Sequence, residues 1–190
     1  MKRVLVPLAP GFEEIEAVTI IDILRRAEIH VTVAGTTAGP ITGSRGVVVT
    51  PDATLDAVAD ANFDMVVLPG GGPGTEALRR DARVASIVKR HADHGEWIAA
   101  ICAAPTVLAD AGLLAGRRVT SHPSVQSQLA ETDYRAERVV VDGRIITSRS
   151  PGTALEFALS LVEHLVGSAV SRRIASDVLA LGATRVSVGD

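Results

Sequence analysis

One cysteine, three clustered carboxylates, a glycine-rich run and a histidine are the residues of this chain whose types and spacing could do chemistry. Cys102 closes the apolar run Trp97-Ile98-Ala99-Ala100-Ile101 and is followed by Ala103, Ala104 and Pro105. A buried strand turning sharply into a helix has this composition, because small neighbours let the corner close. A thiol at such a corner lies near the positive end of the next helix and can be held as a thiolate nucleophile. The same residues also suit a small buried hydrophobe, the usual condition of a free cysteine. Glu13, Glu14 and Glu16 follow Gly11-Phe12. The first two suit the start of a helix, where negative charge complements the dipole. Glu16 stands between Ile15 and Ala17. A carboxyl pressed into an apolar crevice keeps its proton to higher pH and can exchange it with a neighbouring group.

Gly70-Gly71-Gly72-Pro73-Gly74 follows the apolar run ending at Leu68. It fails as a dinucleotide fingerprint: Thr75 stands where the third glycine of G-x-G-x-x-G would fall, and Pro73 lacks an amide donor. No Gly-Lys-Ser/Thr occurs, so there is no P-loop. Amides of this run, with that of Ala103, could form an oxyanion hole beside Cys102. A tight turn with no further role is the alternative. His122, between Ser121 and Pro123, is either a base partner for the thiol or a structural histidine. His91 and His94 are read as lying on a solvated helix face without further ligands, so no metal site is expected.

These residues need a scaffold. The 190 residues are enough for one domain with a sizeable core. Hydrophobic residues make up 47% and charged residues 22%, an ordinary globular composition. Aromatics at 3% leave few stacking platforms for bases. A net charge of -3 gives no electrostatic reason to bind nucleic acid or an anionic membrane. A single cysteine excludes an internal disulfide and a multi-thiolate metal site in one chain. No charge-free stretch reaches transmembrane length, and the N-terminal run is interrupted by Pro7 and Pro10, which argues against a signal segment. The expected location is the cytoplasm.

Apolar runs at Val4–Ala9, His30–Gly35, Met65–Leu68 and Trp97–Ile101 predict buried strands. A helical pattern follows Glu13, with Ile15, Val18, Thr19, Asp22, Ile23 and Arg26 at spacings of three and four. Further helices are expected over Asp81–His94, Pro105–Ala111, Thr153–Val166 and Ser168–Leu181, and a short one over Leu55–Ala61. Gly46–Thr50 suggests a short strand excursion. Val119–Pro123 reads as a strand that leaves His122 at its end. Arg138–Asp142 and Ile145–Ser148, joined by Asp142-Gly143, read as a hairpin. Residues 1–181 form the expected domain, and 182–190 a mobile tail. Strands alternating with helices imply a mostly parallel sheet covered on both faces. Sites in such sheets lie beyond the carboxyl ends of the strands, where Glu16, Gly70–Gly74, Cys102 and His122 would converge.

In combination these segments resemble the ThiJ/PfpI superfamily, and within it the branch of the parkinsonism-associated protein deglycase. Gly11-Phe12-Glu13-Glu14-Ile15-Glu16 is similar to that branch's G-x-E-E-x-E, Val67-Leu68-Pro69-Gly70-Gly71 to its V-L-P-G-G, and Ala99-Ala100-Ile101-Cys102-Ala103 to its A-A-I-C-A. Thr120-Ser121-His122-Pro123 and Thr147 to Thr153 are similar to its remaining signatures. The resemblance implies a flavodoxin-like three-layer α/β/α sandwich with a nucleophile elbow, and a homodimer. It implies Cys102 as nucleophile, Glu16 as its protonated partner, His122 as a nearby base, and Gly71 and Ala103 as oxyanion donors. It also implies that Arg45 reaches toward the partner's site and that Asp22, Arg26 and Pro151 lie at the dimer contact.

The function so implied is a cofactor-free and metal-free enzyme acting on methylglyoxal-type α-oxoaldehydes or early glycation adducts. A redox sensor or oxidation-regulated chaperone using Cys102 is the alternative from another class. An amidase or peptidase is a weaker one. Ala103 directly after the cysteine, and Ser124 two residues after His122, match neither the Cys-His pair nor the Cys-His-Glu triad of the superfamily's peptidase and glutaminase members.

Overall fold

The central strands form because their residues are apolar on both sides, as a sheet buried between two helical layers requires. In the computed structural model, which describes residues 1–180, Val4 to Leu8 and Met65 to Leu68 are apolar and buried throughout, Pro7 included. The elements run in chain order as β1 (Arg3–Leu8), α1 (Glu14–Arg26), β2 (His30–Gly35), β3 (Ile41–Thr42), β4 (Val48–Val49), β5 (Ala53–Thr54), α2 (Leu55–Val58), β6 (Met65–Leu68), α3 (Gly72–Arg80) and α4 (Ala82–Asp93). There follow β7 (Trp97–Ile101), α5 (Pro105–Asp110), β8 (Arg118–Val119), β9 (Asp133–Tyr134), β10 (Val139–Asp142), β11 (Ile145–Ser148), α6 (Ala154–Val166) and α7 (Ser168–Asp177).

Seven strands make the main sheet in the order β10-β11-β7-β6-β1-β2-β5. Only β10 runs antiparallel to its neighbour. Alternate residues of each strand enter opposite cores, as the two-residue period demands. Val4, Val6, Met65, Val67, Ala99 and Ile101 pack with Ile20 and Leu24 of α1 and with Phe157 and Leu161 of α6. Leu5, Val66, Leu68, Ile98 and Ala100 pack with Leu78 of α3, Ile87 of α4 and Leu108 of α5. The result is an α/β/α arrangement around a mostly parallel sheet.

Chain order places β2 on one side of β1 and β6 on the other. The chain leaves β1 and β6 toward opposite sides of the sheet, and at their carboxyl ends the two loops meet, Glu13 N–H donating to Gly70 O at 2.9 Å. The corner after β7 packs against the same place, where a Cβ on Gly70 would touch Cys102 Cβ.

Several expectations need correction. The glycine-rich run is not a loop throughout: α3 begins at Gly72, with Pro73 in its first turn. A proline there removes only an amide that would have no helical partner anyway. Of the residues whose spacing signals α1, Ile15, Val18, Asp22 and Arg26 are exposed, Thr19 is half-buried and only Ile23 is buried, beside Ala17, Ile20 and Leu24. β8 is shorter than expected and pairs with β9 outside the main sheet, because β11 takes the place beside β7. His122 therefore lies three residues past a strand end. α7 ends at Asp177; Leu181 and the tail 182–190 lie outside the described residues.

Candidate active site

Cys102 stands where β7 ends, three residues before α5 begins. Its φ of +65° is in the left-handed region, which an L-residue enters at a cost of about 1–3 kcal/mol. Hydrogen bonds hold it there. Its N–H donates to Ser148 O on β11 at 3.0 Å, and its carbonyl accepts from His122 N–H at 2.8 Å. The corner thus leaves the thiol half-buried beside Gly70.

Glu16, in the first turn of α1, is fully buried beside it. Its Oε2 accepts from Gly70 N–H at 2.8 Å. Its Oε1 has no hydrogen-bond partner among the described residues, and the Cys102 thiol lies near enough to the carboxyl to act on its pKa. Burial raises the Glu16 pKa to about 7, against the opposing pull of the thiol and the Gly70 amide. Burial also pushes the Cys102 thiol up to about 12, and the charge of Glu16 acts in the same direction. Amides of Gly71 and Ala103 approach the sulfur and oppose that rise. Each group's negative charge disfavours the other's, so the two form one coupled acid with a proton to share. A thiolate standing beside an ionised Glu16 is not what this pocket favours.

Glycine is required where this pair is packed. A Cβ on Gly70 would lie 2.6 Å from both Cys102 Cβ and Glu16 Oε2. Gly71 has a φ of +99°, and its Cβ would lie 2.6 Å from Glu13 N. The run therefore gives close backbone approach and aims the Gly71 amide at the sulfur. Glu13 contributes by capping α1, its carboxylate accepting from Glu16 N–H at 2.8 Å, which fixes the turn that carries Glu16.

Of the other expected residues, His122 is adjacent to the elbow through its backbone. Its Nδ1 meets Ser124 Oγ at 2.7 Å and accepts from Ser124 N–H at 3.2 Å, capping the 3₁₀ segment Pro123–Leu129. No hydrogen bond joins its ring to the thiol among the described residues. Arg45 is exposed on the β3–β4 hairpin and is anchored by its backbone N–H, which donates to Glu14. Asp22 and Arg26 pair with each other at 2.9 Å on the exposed face of α1. Pro151 is half-buried at the turn before α6. The structure thus brings Cys102, Glu16, Gly71 and Ala103 together, and leaves Asp22, Arg26, Arg45 and Pro151 without contact to the thiol within one chain.

His91 does not lie on a solvated face. It is buried on the inner face of α4, with Nδ1 bonded to Ile87 O one turn back in the same helix at 2.9 Å. The sequence reading also missed the part played by Ser148, whose carbonyl pins the elbow; a serine whose backbone is the working group carries no side-chain signal.

A model of the DJ-1/PfpI family matches residues 2–164. Protein dj-1beta of Drosophila melanogaster is 46% identical over 181 residues, covering 94% of this chain and 97% of that one. The glutathione-independent glyoxalase DJR-1.2 of Caenorhabditis elegans is 39% identical over 169 residues, covering 87% and 90%. The crystal structure of Drosophila melanogaster DJ-1beta matches with a TM-score of 0.92 at 46% identity, over 94% of this chain and 97% of that chain.

Proposed function

The chain belongs to the DJ-1/PfpI family, and from this and the geometry at Cys102 we propose that it is a cofactor-free, glutathione-independent glyoxalase or deglycase-like enzyme. Its substrates are methylglyoxal-type α-oxoaldehydes or their early adducts. The observation that carries this reading is the fully buried Glu16 carboxyl packed beside Cys102 at a strained elbow, the two meeting at Gly70. The name of the worm relative supports the substrate class.

The chemistry follows from the shared proton. With Glu16 protonated, the Cys102 thiolate attacks the aldehyde carbon of methylglyoxal. The developing alkoxide receives hydrogen bonds from the amides of Gly71 and Ala103. Glu16 returns its proton to that oxygen, giving a hemithioacetal. As carboxylate it then takes the hydrogen from the former aldehyde carbon and delivers it to the adjacent carbon through an enediol. The product is a thioester of a 2-hydroxy acid. Water cleaves it, releasing lactate and the thiol, so the sum is methylglyoxal plus water giving lactate. His122, fixed beside the elbow by its backbone, is proposed as a second proton carrier for hydrolysis. A carboxyl whose pKa is near 7 can both give and take a proton at neutral pH, as these steps require.

Two chains are proposed to associate through the outer face of α1. Ile15, Val18, Val47 and Val48 are exposed large hydrophobics, and the Asp22–Arg26 pair lies on the same helix face. Cytoplasmic residence is part of this proposal; no helix among the described residues is long and apolar enough to cross a membrane. Purified protein mixed with methylglyoxal, without glutathione, is expected to form lactate. The enzyme reading fails if none appears, or if Cys102→Ala is equally active.

A redox role is the second reading. The thiol is half-buried rather than sealed, and the same two amides that meet an alkoxide can meet the oxygens of a sulfinate. Mild peroxide is expected to add two oxygens at Cys102 and fewer in Glu16→Ala. Equal oxidation in both proteins removes this reading.

A further inference from the structure

Glu13, Glu14 and Glu16 stand within four residues, and each carboxylate has a different partner. Glu13 caps α1, and Glu16 meets the thiol. Glu14 is only 8% exposed, although helix starts are usually solvated. Its carboxylate turns onto the β3–β4 hairpin. One oxygen accepts from the Ser44 hydroxyl at 3.0 Å, and the other accepts from Arg45 N–H. Gly43 closes the contact: a Cβ there would lie 2.8 Å from Glu14 Cγ.

The hairpin in turn braces the loop between β1 and α1. Thr42 O accepts from Gly11 N–H, and Phe12 O accepts from Ser44 N–H, both at 2.8 Å. That loop backs the glycine run. Gly11 O accepts from Gly74 N–H at 3.1 Å, and Gly70 O accepts from Glu13 N–H at 2.9 Å. Gly71 approaches this loop so closely that a Cβ on it would lie 2.6 Å from Glu13 N. A continuous series of backbone contacts therefore runs from Glu14 through the hairpin to Gly71.

We propose that Glu14 is a positioning residue: its carboxylate fastens the β3–β4 hairpin to the β1–α1 loop and so holds the Gly71 amide on the Cys102 thiol. The inference rests on the reading of Gly71 as an oxyanion donor. It assigns geometry, not charge, to Glu14. A glutamine can keep both contacts, its oxygen accepting from Arg45 N–H and its amide donating to the rotatable Ser44 hydroxyl. An alanine keeps neither.

The test compares Glu14→Ala, Glu14→Gln and Ser44→Ala by amide hydrogen exchange, by Cys102 alkylation with iodoacetamide, and by lactate formation from methylglyoxal. Glu14→Ala is expected to raise exchange over residues 11–13 and 43–46 by about tenfold, with β1, β6 and β7 unchanged. The alkylation rate at about pH 8 should fall, because the thiolate loses an amide donor. kcat should fall about tenfold, with KM within about threefold. Glu14→Gln restores most of each loss. Ser44→Ala, which removes one of the two contacts, falls between and serves if Glu14→Ala does not fold. Unchanged exchange over residues 11–13, or a glutamine variant as impaired as alanine, overturns the proposal. If the wild type forms no lactate, the enzyme reading fails, while exchange and alkylation still decide the role of Glu14.

Discussion

Replacing Gly70 by alanine adds one methyl group at the most crowded point of the site. The new Cβ would lie 2.6 Å from Cys102 Cβ, 2.6 Å from Glu16 Oε2 and 3.1 Å from the Ile101 carbonyl. Ordinary van der Waals contact begins near 3.4 Å, so Cys102 and Glu16 must each give way by about 0.8 Å. Neither can do so cheaply. Cys102 is tied at both its amide and its carbonyl, and Glu16 is fully buried with Oε2 on the Gly70 amide itself. Overpacking of this kind costs about 1–3 kcal/mol of stability. The effect on turnover is larger, because a displacement near 1 Å at reacting groups costs about 100-fold. The assay is lactate formation per folded molecule, with stability taken from urea unfolding. Gly72→Ala is the control, since a Cβ there meets nothing within 4 Å. It sits in the first turn of α3, where alanine is accepted, and should change stability by under about 1 kcal/mol and activity by under about twofold. If Gly70→Ala behaves like Gly72→Ala, the close packing of Gly70, Cys102 and Glu16 is not what the site depends on.

Glu16 makes stability fall as pH rises. Its folded pKa of about 7 lies above its ordinary 4.5, so the folded state keeps a proton that the unfolded chain gives up. That advantage is complete below 4.5 and lost as pH passes 7, a swing of at most about 3 kcal/mol. Glu16→Gln should flatten it, which urea unfolding at about pH 5 and about pH 8 will show; an equal slope in both proteins contradicts the assignment. Val18→Glu on the exposed face of α1 should halve the mass seen in light scattering without lowering the stability of the single chain by more than about 0.5 kcal/mol. A wild type that already has the mass of one chain would refute the proposed association.

The fold was legible where one rule governs a whole segment. β6 has the bounds read from its apolar run, because a strand buried on both faces needs no phase. Where phase matters, the reading slipped. The stripe that marks α1 lies mostly on its outer face, with Ile23 alone buried, since Ile15 and Val18 are as apolar as Ile20 and Leu24. An apolar stripe left for another surface looks like one turned to the core. Gly70–Gly74 reads as a turn because Gly72-Pro73-Gly74 has poor helix propensity, yet α3 starts inside it at Gly72. Tertiary packing overrides this: a Cβ on Gly74 would lie 2.8 Å from Phe12 N and Cα, so the glycine that weakens the helix also lets it dock.

The three glutamates show why a site is harder to read than a fold. Sequence separates them by a few residues, and each has the same side chain. Their roles differ through direction alone. Successive helical positions turn by about 100°, so Glu14 and Glu16 leave α1 on different faces. Glu14 reaches hydroxyl and amide donors on a hairpin, and such donors favour a carboxylate. Glu16 reaches one amide and a thiol inside the core, where burial favours the acid. Proton-sharing chemistry therefore requires Glu16 at that register. Moving it to position 14 would put an ionised group on the hairpin and leave the thiol with no acid beside it. Gly70 makes the requirement sharper, because the space a side chain there would occupy is filled by Cys102 Cβ and Glu16 Oε2. Cys102 is reactive in this reading because its neighbour can hold the proton that the thiol must lose, and the amides of Gly71 and Ala103 stabilise what remains.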